Sequence, residues 1–135
     1  MFDYTALKKS HHSAEWFGES EDGVGLLIRG ADDSPDANGV AQAEAVVAAL
    51  GEIQAKAVAV ADSFMKDPGD WSLSEIDVGL EAQRAGCDYI IRLAFDPRGG
   101  SGAYGYTQFS VHFRAHQDQP SPNQNHPFRL AIEFQ

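Results

Sequence analysis

The sequence predicts an α+β fold: two layers, with one long helix packed on one face of a mixed, mostly antiparallel sheet of about six strands in the order β-β-α-β-β-β-β. Three observations carry this. In the last third of the chain, Tyr89, Ile91, Leu93 and Phe95, then Thr107, Phe109, Val111 and Phe113, then Phe128, Leu130, Ile132 and Phe134 each occupy alternate positions. Side chains of a strand alternate between faces, so each run has one apolar and one polar side. Apolar residues recur at helical spacing between Val40 and Phe64. Two apolar runs flank Glu19-Ser20-Glu21-Asp22-Gly23, whose Asp-Gly pair marks a hairpin because glycine adopts positive φ without a steric penalty. At 135 residues the chain fits a single domain, 1–135.

In chain order, residues 1–12 read as a short strand or a turn. Ala14–Gly18 and Val24–Arg29 are the two strands of the hairpin. The helix follows, with Ser34 as N-cap, Pro35 at the first helical position and Asp36 favoured by the helix dipole; Asn38 is an alternative cap because Gly39 weakens this start. Val40, Ala43, Val47, Leu50, Ala57, Ala61 and Phe64 form its stripe, widened by Val46, Ile53 and Val60. Gly51, in mid-helix, costs about 1 kcal/mol relative to alanine and marks a tight contact or a bend. Asp67-Pro68-Gly69 ends the helix. Trp71–Val78 is the next strand, and its alternation slips between Leu73 and Ile76 as at a bulge. Glu81–Gly86 is a loop or one helical turn, and the three regular strands follow as a meander. If the helix joins neighbouring strands, those two run parallel.

Twenty acidic residues oppose ten basic ones, a net charge of −10. That disfavours nucleic acid, which attracts proteins through Lys and Arg, and disfavours anionic membranes. It suits a basic protein partner, a cationic ligand or plain solubility. The single cysteine, Cys87, excludes an internal disulfide and fits a reducing compartment. No signal peptide and no bilayer-spanning apolar run is visible, so a soluble, cytoplasmic protein is expected.

No residue spacing names a chemistry, and no catalytic residue, metal or cofactor is expected. His112 and His116 lie roughly 13 Å apart along one strand, too far to share an ion; His116 and His126 bracket a loop and could approach. Cys87 stands beside Asp88, whose charge raises a thiol pKa. Gly99-Gly100-Ser101-Gly102 lacks the lysine and the strand-to-helix setting of a phosphate loop. Asp32, Asp33 and Asp36 have a structural reason to precede a helix. Of Trp16 and Phe17, one must face the core.

Two surfaces stand out. The outward parity of the meander carries Arg92, Tyr106, Gln108, His112, Arg114 and Arg129, a mixture of the kind found at interfaces. The strand directions also bring Glu19, Glu21, Asp22, Asp67, Asp70 and Asp96 to one end, an acidic rim suited to a basic partner and only partly offset by Lys66 and Arg98.

The series Trp16-Phe17-Gly18-Glu19, an Ala/Val-rich helix, Trp71-Ser72-Leu73, Tyr106–Phe113 and Ile132-Glu133-Phe134 resembles small uncharacterised bacterial proteins, some of them grouped with immunity proteins of polymorphic toxin systems. The resemblance implies an α+β fold and toxin neutralisation, and it supplies no catalytic residues. The leading expectation is therefore a non-enzymatic acidic protein-binding domain, in concrete form an immunity protein that neutralises a basic toxin. One alternative is a small enzyme or small-molecule binder built on His112 or His116 with Cys87 or an acid. The other is a structural or assembly subunit, a homo-oligomer whose outward face pairs with another copy.

Overall fold

The computed structural model describes residues 1–98, 107–116, 118–119 and 124–134. Its described strands are β1 (Lys8–Lys9), β2 (Glu15–Glu19), β3 (Gly25–Arg29), β4 (Gly69–Val78), β5 (Tyr89–Pro97), β6 (Thr107–Ala115) and β7 (Asn125–Phe134). They form one sheet in sequence order. Only the β3–β4 pair is parallel, because the chain crosses over between these strands and must enter β4 in the direction of β3. The mixed sheet is as expected, but it has seven strands rather than six. The seventh is β1, whose two residues pair with Phe17 and Trp16 and are too few to show a periodicity. The β2–β3 turn uses Gly23 at φ 83°, with the Ser20 hydroxyl accepting from the Val24 N–H at 3.0 Å.

The single long helix is replaced by two, α1 (Ala37–Ala48) and α2 (Leu50–Asp62). The N-cap of α1 is Asp36, not Ser34 or Asn38; its carboxylate accepts from the Gly39 N–H at 3.3 Å. Gly39 permits a close approach to the sheet, since a Cβ there would lie 2.8 Å from Ile28 Cγ2. At Ala49 (φ −110°, ψ 22°) the helix breaks, its N–H reaching both the Ala45 and Val46 carbonyls at 3.2 Å. α1 then packs on β3 and β4, and α2 on β5, β6 and β7, so the break shares the cover between the two halves of the sheet. Gly51 sits in open space and makes no tight contact; the bend it was expected to mark falls two residues earlier, at Ala49. A third helix, α3 (Leu80–Ala85), occupies the region expected to be a loop or a helical turn and ends at Gly86 with φ 72°. It lies on the opposite face, where Ala82, Cys87 and Ile90 form a small second apolar cluster.

The main core lies between the sheet and α1–α2 and contains Leu26, Ile28, Ile76, Val78, Tyr89, Ile91, Leu93, Phe109, Val111 and Phe113. Trp16 faces this side, opposite Ile28, and Phe17 faces the other. The bulge expected in β4 is present, between Leu73 and Glu75. β7 departs from its expected parity. The β6–β7 register shifts so that Phe113 faces Pro127 and His112 faces Arg129, leaving Phe128 bulged. The Phe128 ring consequently lies on the outer face, 6.3 Å from the His112 ring and 4.8 Å from the Arg114 guanidinium carbon. Leu130 and Ile132 keep the inward parity, but Ile132 is 41 % exposed and Phe134 83 %, because the helices leave this end of β7 uncovered.

Candidate functional site: a charged outer face and an acidic end

On the face opposite α1 and α2, cross-strand neighbours form two rows. One runs Leu27, Asp77, Ile90, His112, Arg129; the next runs Gly25, Glu75, Arg92, Ser110, Ala131. Arg92 is 3 % exposed, far more buried than an outward strand position suggests. Its Nη1 donates to Glu75 Oε1 and to Asp77 Oδ2, each at 2.6 Å, and its Nη2 donates to Glu81 Oε2 at 2.6 Å. A buried charge is tolerable only when paired and hydrogen-bonded, and here one guanidinium holds three carboxylates. Asp77, 0 % exposed, also accepts from the Gly79 N–H at 2.7 Å, and Glu15 accepts from the Leu80 N–H at 2.9 Å. These bonds fasten the start of α3 to the sheet. Burial opposes the Arg92 charge, but Asp77 foremost, with Glu75 and Glu81, outweighs it and raises the pKa. Glu75 moves above its ordinary value because desolvation exceeds the help from Arg92.

His112 is 6 % exposed, and its Nδ1 has no hydrogen-bond partner. Burial, then the charges of Arg129 and Arg92, lower its pKa and favour the neutral ring. Arg114 and Arg129 are exposed, and Gln108 is half-buried. Tyr106 lies outside the described residues, as does the run Gly99-Gly100-Ser101-Gly102. The outer face thus divides in two. Near α3 it is a closed ion cluster, whereas at β6–β7 it is an open surface of Arg114, Phe128 and Arg129. Sequence reasoning missed Glu75, Asp77 and Glu81 as partners of Arg92. The available signal was the shared parity of Glu75 and Asp77 beside it. Phe128 was missed because, unlike the bulge in β4, this one leaves no slip in the sequence: Phe128, Leu130, Ile132 and Phe134 alternate without interruption.

The six rim residues, Glu19, Glu21, Asp22, Asp67, Asp70 and Asp96, are all exposed and lie at the same end of the sheet. They form two groups. Gly25 faces Glu75, whereas β4 begins at Gly69, so the β4–β5 ribbon runs on past the β2–β3 turn by roughly 20 Å. Glu19, Glu21 and Asp22 sit at the turn; Asp67, Asp70 and Asp96 sit at the ribbon tip. At the tip Asp70 faces Asp96 directly across the strands, a like-charge pair that, among the described residues, has Arg98 as its ion-pair partner, with Nη2 3.9 Å from Asp70.

An open recess of about 530 Å³ lies over Gly25, lined by Lys8, Phe17, Glu19, Ser74 and Glu75. A second, of about 650 Å³, is lined by Arg29, Asn38, Gln42, Gln83, Cys87 and Asp88. Neither contains a histidine. Burial, then Asp77 and Asp88, pushes the Cys87 thiol up to about 11. The His116 and His126 rings approach to 6.5 Å, but among the described residues no three His, Cys, Asp or Glu side chains converge as metal ligands would. Among the described residues no helix is long and apolar enough to cross a membrane. Comparison with protein-family models, with curated proteins and with solved structures finds no match.

Proposed function

We propose that this chain is a non-enzymatic, acidic protein-binding domain that docks a basic protein at the acidic end of its sheet, as an immunity protein does when it occludes a toxin. The observation that carries the reading is the set of six exposed carboxylates there, with Asp70 and Asp96 held face to face. Such a charge pair costs folding free energy in the isolated chain, and a cationic surface placed against it removes that cost. The groups with the greatest chemical potential are committed elsewhere: Arg92 to three carboxylates, and Cys87 to a buried position that disfavours its thiolate. A free buried thiol is consistent with action in the cytoplasm.

The test is co-expression with the protein encoded beside it, followed by affinity capture and a growth assay. Wild type is expected to retain that protein and to relieve its toxicity. A variant carrying Glu19→Gln, Glu21→Gln, Asp22→Asn and Asp96→Asn is expected to lose both while keeping its fold. Failure of wild type to bind, or equal binding by the variant, overturns the reading.

A further inference from the structure

The two edges of the sheet are built differently. β1 ends the sheet with two residues, both lysine, which blunts that edge against pairing. β7 ends it with ten residues and bears three exposed large hydrophobic side chains, Phe128, Ile132 and Phe134. Its first half is protected, because Pro127 has no N–H to donate and the bulge at Phe128 twists the strand. From Arg129 to Phe134 the register with β6 is regular, and among the described residues no strand pairs with the other side of β7.

We propose that this half of β7 is a self-association edge, on which two copies of the chain pair antiparallel about a two-fold axis at Ala131 and join their sheets. The occupant is a second copy because the charges are self-complementary. When a strand pairs with itself about a two-fold axis, residues equally distant from the centre face each other. With Ala131 at the centre, Arg129 faces the partner's Glu133 and Glu133 faces the partner's Arg129. Both pairs lie on the outer face, since residues 129, 131 and 133 share parity with His112, Ser110 and Gln108. On the helix face, Leu130 meets the partner's Ile132, covering apolar surface the helices leave exposed. Centring the pair on Arg129 or Glu133 sets like charges opposite each other, and centring it on Leu130 or Ile132 sets a charge opposite alanine. Only one register therefore forms both ion pairs. Neither Arg129 nor Glu133 makes an ion pair with another described residue of its own chain. Antiparallel pairing also carries the two acidic ends to opposite ends of the joined sheet, which limits repulsion between two chains of charge −10.

Sedimentation over a concentration series tests the proposal. Wild type is expected to reach twice the mass of the chain. Arg129→Glu and Glu133→Arg, each alone, place two like-charge pairs in the interface and are expected to weaken self-association at least about tenfold. Mixing these two variants is expected to restore a dimer, because each supplies the charge the other lacks. The double variant Arg129→Glu/Glu133→Arg is expected to dimerise like wild type. A strictly monomeric wild type overturns the proposal, as do single variants that dimerise unweakened, or a folded double variant that stays monomeric. Capture of a foreign chain along β7 by a monomeric wild type also overturns it.

Discussion

At the residue scale the molecule is organised around one buried guanidinium. Arg92 neutralises Asp77, which is wholly removed from solvent, and ties Glu75 and Glu81 to the same point. Arg92→Ala leaves Asp77 buried without its counter-charge and is expected to destabilise the fold by about 3–5 kcal/mol, measured by urea unfolding. Arg92→Lys keeps the charge but loses the planar fork that reaches several carboxylates, so it is expected to recover only part of that stability. His112 gives a pH signature. Its folded pKa is lowered from 6.5, by burial first and then by Arg129 and Arg92, against the weaker pull of Glu81 and Asp77. Below pH 6.5 the unfolded chain takes up a proton that the folded chain resists, so this contribution to stability is lost as pH falls through that window. His112→Leu removes it, and a plot of urea midpoint against pH is expected to be flatter for the variant below pH 6.5; parallel profiles would contradict the assignment.

At the scale of elements, the crossover between the parallel strands shows how local and long-range forces divide the work. Two glycines in it have opposite roles. A methyl group at Gly39 would press on Ile28, so Gly39→Ala is expected to cost about 1–3 kcal/mol despite alanine's better helix propensity. A methyl group at Gly51 meets nothing, so Gly51→Ala is expected to gain about 0.4–1 kcal/mol by restricting the unfolded chain. Thermal unfolding of the two variants distinguishes them by sign. Most of the stripe read from Val40 to Phe64 was legible, with Ala43, Ile53, Ala57 and Ala61 fully buried as their spacing requires, but Phe64 lies past the end of α2 and is exposed. The bend that Gly51 suggested was legible to within two residues, but not its place at Ala49, which answers the need to cover two halves of a sheet. The parallel β3–β4 pair and the β4 bulge were both readable, because crossover length and a slip in alternation are local properties.

For the whole molecule, charge and edges are the features on which the two proposed associations rest. The acidic end faces solvent in two groups, so the basic partner proposed above would gain encounter rate from long-range attraction that salt screens. The association rate with such a partner is expected to fall several-fold between roughly 0.05 and 0.2 M salt while dissociation changes little, a split that stopped-flow or surface-binding kinetics resolves. A rate that ignores salt would place the contact on another surface. β7 adds the opposite property, an edge with exposed apolar side chains, the proposed seat of self-association, at the far side of the sheet from β1.

By itself the sequence determined the α+β class, the antiparallel meander, the inward faces of β5 and β6, and the end at which the acids collect. Each follows from alternation, helical spacing or the alternating direction of strands, which are properties of neighbours along the chain. Tertiary structure decided the rest. It closed Arg92 into a cluster with Glu75, Asp77 and Glu81, because α3 folds back across a face that alternation alone presents as open. It turned Phe128 outward through a register shift that only pairing with β6 creates. It also left Ile132 and Phe134 uncovered, since how far a helix reaches across a sheet depends on packing between elements distant in sequence.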